Sequence, residues 1–388
     1  MNTAFRGCIA LVLLAGVARA QDTWTLTTAD LKTESVVLKS IAEAGVTVAA
    51  PDGAERVVPM TSFVQLGRGQ RSKSPAGLVL CVTGGARLVG TPRRMDGPNL
   101  IWFTNGVGDV AVLLESVLAV LRDRTTVQGL ADARPDDQAK LVSGDSVRGI
   151  LTDATDSAFV FAPAAGEPVS VAPMAVASIL FASPPGGRKA VAPSAFLVRV
   201  AGGSAVACQE VVVAKERLTL RTSAGTDIDV PLAQIESIEH TGGPLAWLSA
   251  REPTESVHTP YLDGDFPARF DSSVVGRPIR FGGVTYAHGI GVHSRSKLVF
   301  ALQPGDSRFR TRYAIDGNAD GADVDVRVLA DDRIVHEIKG FRSGVLSPLI
   351  EVDLAGVKTL TLEVDYGQGY DVQDRLNWIE PAVLRKAN

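Results

Sequence analysis

The feature that most constrains this chain is a recurring segment ending. Pro59-Met60-Thr61-Ser62-Phe63-Val64-Gln65-Leu66 returns as Pro173-Met174-Ala175-Val176-Ala177-Ser178-Ile179-Leu180 and as Pro231-Leu232-Ala233-Gln234-Ile235-Glu236-Ser237-Ile238, with a degenerate copy at Leu113–Val120. The segments that open each unit recur as well, at Val82–Gly90, Val142–Gly149 and Val200–Cys208. A period of roughly 55–60 residues, about 40 of them strand and turn, marks small supersecondary units that stack on their neighbours. Each unit reads as apolar strand, glycine turn, strand, turn, strand, then a short Pro-led turn into a last strand. Arg217–Thr222 and Ile228–Val230 alternate apolar and polar residues with the period of a half-buried strand. Several short antiparallel strands in so few residues describe an SH3-like or Sm-like small barrel, which closes its sheet and leaves few edges exposed. The alternative is that neighbouring units share strands in a larger sandwich. The units are placed at residues 22–66, 77–121, 139–182 and 194–240, with linkers at Gly67–Ser74, Arg122–Gln138 and Ser183–Pro193 that are rich in Gly, Pro, Ser or charge. The basic cluster Arg68–Lys73 reads as solvated linker, and Trp24 and Trp102 as core residues of the units.

A hydrophobic share of 45% and a charged share of 21% suit globular domains with real cores and argue against disorder. The net charge of −4, without a long basic run, disfavours nucleic acid or an anionic membrane surface as partner. Residues 1–20 have the form of a cleavable signal: Arg6 supplies positive charge, Cys8–Val17 is apolar, and Ala18-Arg19-Ala20 offers small residues at the cleavage position before Gln21. That apolar run is too short for a spanning helix, which needs about 20 residues. The mature chain is therefore expected to have no transmembrane segment and to be secreted, periplasmic or at the cell surface. There Cys81 and Cys208 either pair as a disulfide or stay reduced in strand-like apolar surroundings as small hydrophobes.

Beyond residue 240 the pattern changes. A proline-bearing connector, 241–256, carries Leu245-Ala246-Trp247-Leu248, and Trp247 is expected to pack where the two regions meet. Leu298/Phe300/Leu302, Val324/Val326/Val328 and Leu360/Leu362/Val364 each place apolar side chains on one face of a strand, as a two-sheet core requires. Five motifs follow in order: Phe270–Gly283, Tyr286–Leu302 (YAHGIGVHSRSKLVFAL), Ile315–Arg333, Leu360–Gly367 and Asp374–Leu384 (DRLNWIEPAVL). On these motifs residues 257–386 resemble the NPCBM domain, a galactose-binding-like β-sandwich of jelly-roll type named as a carbohydrate-binding module and often found beside glycoside hydrolases. The fold expected for the whole chain is all-β: tandem small barrels followed by this sandwich. The resemblance implies that a ligand meets the loops at one end, where Tyr286–His293 and Tyr366–Asp374 are the expected occupants. Where family members run Asp-His or Asp-Ala before the tryptophan, this chain has Arg375-Leu376-Asn377, which leaves the sugar unspecified.

A sugar presents weakly apolar C–H faces and a ring of hydroxyls, so a site needs an aromatic platform with a few fixed polar groups. Tyr286, His288, His293, Tyr366, Tyr370, Asp374, Asn377 and Trp378 have that chemistry. For Trp378 a core position is the competing reading, and for His293 a structural hydrogen-bonded role. A second candidate is a structural calcium ion held by Asp316, Asn318, Asp320 and Asp323, because hard oxygen donors on a glycine-bearing turn suit Ca²⁺. The spacing is not that of an EF-hand, and an acidic hairpin without metal is the alternative. Asp263-Gly264-Asp265 resembles such a loop more weakly. The sequence has no HExxH, GxSxG, Walker A or CxxC pattern. The reading is an exported, non-catalytic carbohydrate-binding protein whose β repeats act as spacers or bind protein partners. A periplasmic or cell-surface protein-binding scaffold is the alternative, and a glycoside hydrolase accessory or catalytic protein stands behind both.

Overall fold

A computed structural model describes residues 23–385, apart from Leu31, 69–76, 123–129, Ala131, Pro185, 189–190, 262–263, Ala287, Asn318 and Asp320. The signal-like segment lies outside the described residues, as does the basic cluster beyond Arg68. The described chain is built of β-strands joined by turns and a few three-residue 3₁₀ segments. Among the described residues no helix is long and apolar enough to cross a membrane.

The four repeats share one pairing scheme. In the first, Thr23–Thr28, Thr33–Ala42, Gly45–Ala49 and Glu55–Pro59 form an antiparallel meander, and Phe63–Gly67 returns to pair with the first strand. The same connections recur in the units that begin at Leu78, Asp137 and Phe196. In three units the recurring ending forms a 3₁₀ turn, Leu114–Ser116, Pro173–Ala175 and Leu232–Gln234, between the fourth and fifth strands. Proline is well placed to open Pro173–Ala175, because its fixed φ is preorganised and its missing N–H is not needed there.

Every second strand also carries an irregularity at the same place: Leu38/Ser40, Pro92/Arg94, Leu151/Asp153 and Cys208/Glu210. An extra residue there bends the strand, so its first half serves the first strand and its second half the third. This is the SH3-like order that the repeat pattern predicts. One expectation is corrected: among the described residues the fourth and fifth strands of a unit do not pair, so the sheets stay open. The fifth strands instead pair with one another. Phe63–Gly67 lies against Ile235–His240, and Val117–Arg122 against Val176–Leu180. Unit one thus joins unit four, and unit two joins unit three. A further bridge, Ala205↔Arg87, completes one twenty-stranded hydrogen-bonded sheet over a single core that contains Trp24 and Trp102.

The candidate disulfide is not formed. Both cysteines are free and buried, Cys81 beside Val79, Val89 and Ala119, and Cys208 in the main core. Burial alone pushes the Cys208 thiol up to about 12, so neither sulfur is poised to react.

The C-terminal region is a two-sheet sandwich. One sheet runs Arg269–Phe270, Gly289–His293, Arg375–Arg385, Asp306–Ile315 and Ile350–Asp353. The other runs Glu255–His258, Ser296–Ala301, Thr359–Tyr366, Asp323–Ala330 and Arg333–Arg342. Leu298, Phe300, Val324, Val326, Val328, Leu360, Leu362 and Val364 meet between them, as the alternating pattern predicts. Leu245–Trp247 pairs with Arg375–Arg385 and so belongs to the first sheet. Trp247 packs with Val64 of the first repeat and Ala382 of the sandwich, and it marks the junction of the two regions.

Gly90 tests this architecture. A Cβ there would stand 1.7 Å from the Phe103 carbonyl oxygen on the facing strand. Gly90→Ala is expected to lower unfolding free energy by about 2 kcal/mol or more, measured by denaturant titration, whereas Gly67→Ala, where a Cβ would meet nothing within 4 Å and the backbone is not left-handed, should cost much less.

Candidate functional site

Strand ends and loops at one end of the sandwich gather a run of aromatic rings. His293 ends the strand Gly289–His293, Tyr366 ends Thr359–Tyr366, and Tyr370 lies on the loop that follows. Tyr261 and Phe266 come from the segment after Glu255–His258. Tyr261 stands 4.9 Å from Tyr370 and 5.7 Å from Tyr366, centroid to centroid. Phe266 stacks on His293 at 4.5 Å, and His258 meets both rings edge-on. Tyr261 and Tyr370 keep 51% and 58% of their surface in solvent. Exposed neighbouring tyrosines of this kind give a platform that loses little entropy when a ligand arrives.

The polar groups behind the platform are held in place. The Ser294 carbonyl lies 2.9 Å from His293 Nδ1 and 3.2 Å from His258 Nε2. The Phe266 N–H donates to His258 Nδ1, so His258 carries its proton on Nε2. His293 donates from Nδ1, which leaves Nε2 as an acceptor; burial lowers its pKa despite the Ser294 bond. Tyr366 Oη donates to the Thr259 carbonyl. Asp374 accepts from Ser294 Oγ at 2.6 Å and from the Asp323 N–H at 3.2 Å, and burial raises its pKa to about 6 against those bonds. Asp374 is thereby a buried support of the loop; Asp371, three residues before it, is half-buried. Its charge is felt at Tyr366, His293 and Asp374 alike.

The eight predicted sugar contacts therefore separate. His293, Tyr366, Tyr370 and Asp374 come together at this end. Tyr286 lies elsewhere, on the outer face of the first sheet with Ile279, Ala314 and Ile379. Trp378 is wholly buried and meets Tyr313 edge-on at 5.5 Å, which is the core position named as its competing reading. Asn377 is buried, with its amide donating to Asp316 at 2.7 Å. His288 is buried at the junction with the repeats. Its ring stacks on Trp247 at 4.4 Å, and its nitrogens face Glu239 at 3.1 Å and Asp271 at 3.4 Å. Tyr261, Phe266, His258 and Asp371 were not singled out by sequence. The available signal was two aromatics flanking the sequence Asp263-Gly264-Asp265, of which Asp263 lies outside the described residues.

Two of the calcium candidates, Asn318 and Asp320, lie outside the described residues. Asp316 faces Arg375 Nε at 3.5 Å in addition to Asn377. Asp323 is buried, with Arg342 3.8 Å from one carboxylate oxygen and Oδ1 without a hydrogen-bond partner. Among the described residues no group of three or more His, Cys, Asp or Glu is arranged to hold a metal.

The family model of the NPCBM/NEW2 domain matches residues 245–384, so the resemblance holds over the C-terminal third. No curated protein matches the chain. Among solved structures, the chain is similar to the CBM51-2 and INT domains of Clostridium perfringens ZmpB in complex with GlcNAc, at 22% identity and a TM-score of 0.34, over 45% of this chain and 37% of that one. It is similar to the CBM51 of Clostridium perfringens GH95 in complex with methyl-galactose, at 24% identity and a TM-score of 0.31, over 36% of this chain and 99% of that one. The tandem CBM51 modules of Sp3GH98 from Streptococcus pneumoniae follow at 12% identity and a TM-score of 0.32, over 93% of this chain and 99% of that one.

His288 makes the junction sensitive to pH. Burial disfavours the imidazolium, but the Asp271 and Glu239 carboxylates outweigh it and raise the pKa from 6.5 to about 9. The folded value lies above the unfolded one, so the stabilisation is complete below about pH 6.5 and is lost as pH rises through about 9. His288→Gln should therefore cost about 3 kcal/mol at neutral pH, since it leaves Glu239 buried and unpaired. The gap between wild type and variant, followed by denaturant unfolding across pH, should close above pH 9.

Proposed function

We propose that the NPCBM-type sandwich binds carbohydrate at the end formed by Tyr261, Tyr366, Tyr370, Phe266, His293 and Asp371. The observation that carries this reading is the pair of exposed tyrosines, Tyr261 and Tyr370, packed against each other beside fixed acceptors, within a domain that matches this family. Tyr370 has φ of +59° and Gln373, on the same loop, has φ of +59°. Non-glycine residues pay for that conformation, so such positions concentrate where a loop must present a side chain to a ligand. The tyrosine faces would stack on the C–H face of a sugar ring, while His293 Nε2 and the Asp371 carboxylate would accept bonds from its hydroxyls.

The same proposal gives the chain its setting. The signal-like segment supports export, and the repeat region acts as a spacer or interaction module that carries a non-catalytic binding domain. Val142 and Met174, 60% and 80% exposed on the third unit, favour a protein contact there.

We further propose that the Asp316–Asp323 turn holds a structural calcium ion. Its support is a pair of buried, orphaned acceptors, Asp323 Oδ1 and Asn377 Oδ1, which are rare in a folded protein and match the oxygen donors of a hard cation.

Tyr261→Ala and Tyr370→Ala should each weaken retention of the full chain on immobilised galactosyl or N-acetylglucosaminyl ligands by about tenfold, with the thermal midpoint nearly unchanged. Retention that survives both changes would rule out this end as the site. Chelation should lower the thermal midpoint, and calcium but not magnesium should restore it; indifference to both would remove the metal from the account.

A further inference from the structure

The polar inventory of the proposed site is one-sided. Its two neighbouring cations are already engaged: Arg295 faces Asp365 at 3.6 Å, and Arg375 faces Asp316 at 3.5 Å. Both described imidazoles spend their N–H on one carbonyl, that of Ser294, and the Tyr366 hydroxyl spends its proton on Thr259. What the site offers a ligand is therefore the His293 Nε2 lone pair, the tyrosine rings and two carboxylates, Asp371 and the exposed Asp265, which stands 3.7 Å from the acceptor Nδ1 of His258. Asp371 is half-buried and makes no hydrogen bond or ion pair with any described residue. A carboxylate without an ion-pair partner attracts a cation, and nearby π faces add to that attraction.

Resting on the carbohydrate reading above, we propose that this site prefers an amino sugar carrying a free, protonated amine, with Asp371 as the residue that selects it. The ammonium supplies the charge and the three donors that the site lacks, and its position against the Tyr261 and Tyr370 faces adds a cation–π contact. N-acetylation would remove the charge, and a uronate or sulfated sugar would place like charges together. The preference is thus for free amine over neutral sugar over acidic sugar.

The test is titration of the full chain, by calorimetry, with four methyl glycosides in both gluco and galacto configuration: the parent hexose, the 2-amino sugar, its N-acetyl form and the uronate. The expected result is that the free amine binds about tenfold more tightly than its N-acetyl form. That advantage should shrink with added salt and vanish above the amine's own pKa. Asp371→Asn should erase the advantage, bringing the free-amine and N-acetyl forms to within about twofold of each other, since a neutral amide cannot pair with the ammonium. The salt and pH arms need no variant, so poor folding of Asp371→Asn would not rescue the idea. Equal binding of amine and N-acetyl forms would overturn the amino-sugar preference and leave the carbohydrate reading intact. Failure of every glycoside to bind, in a folded protein, would overturn both.

Discussion

The N-terminal half depends on how the free edge of each fifth strand is paired. A unit of about 40 residues buries too little surface to be stable alone, and an open five-stranded sheet presents a row of unsatisfied N–H and C=O groups. Pairing Phe63–Gly67 with Ile235–His240, and Val117–Arg122 with Val176–Leu180, removes both difficulties at once. The scheme has an internal two-fold character. Exchanging unit one with three and unit two with four maps the one·four pairing onto three·two, and it maps the Ala205↔Arg87 bridge between units four and two onto itself. Four weak repeats thereby share one core.

The second dependence is the junction. Glu239 sits on the last strand of the fourth unit, where its backbone pairs with Gln65 of the first unit, and its side chain reaches His288 at the start of the sandwich. Trp247 stacks on that histidine while its own strand extends the sandwich sheet. Arg251, a few residues on, forms a bidentate pair with the buried Asp306. Buried charges of this kind contribute little net stability but penalise any arrangement that separates them. The junction therefore fixes how the repeats carry the sandwich, and a sandwich cut at residue 257 would lose Leu245, Trp247 and Arg251 together.

Much of this was legible in sequence, for identifiable reasons. The repeat endings survive because each must form the same turn into a fifth strand, and the alternation in Val324/Val326/Val328 survives because one face of a sandwich strand must be apolar. Barrel closure was not legible, since nothing in a unit's own sequence says whether its fourth and fifth strands meet or whether the fifth pairs with a distant copy. The candidate site was half legible. His293, Tyr366 and Tyr370 announce themselves by residue type, but His288 and Trp378 have the same types and lie in a junction and a core. Residue chemistry is shared by sites and cores; only the register, in which Trp378 faces Tyr313 and Ile290, separates them.

The residue that sequence passed over, Asp371, shows why composition alone cannot find a site. The chain has 43 acidic residues, so an aspartate in a loop carries no information by itself. It acquires meaning from its neighbours. Asp374 beside it is committed to Ser294 and to the Asp323 backbone, Asp365 faces Arg295 and Arg327, and Asp316 faces Arg375 and Asn377. Each of those carboxylates holds the loop together and has its hydrogen bonds satisfied. The one left over is the one beside the exposed tyrosines, on a backbone bent into a conformation that Tyr370 and Gln373 do not favour. A carboxylate left unpaired beside two exposed aromatic rings, on a loop whose other carboxylates are engaged, suits the recognition proposed for this end, because little ordering then remains to oppose binding.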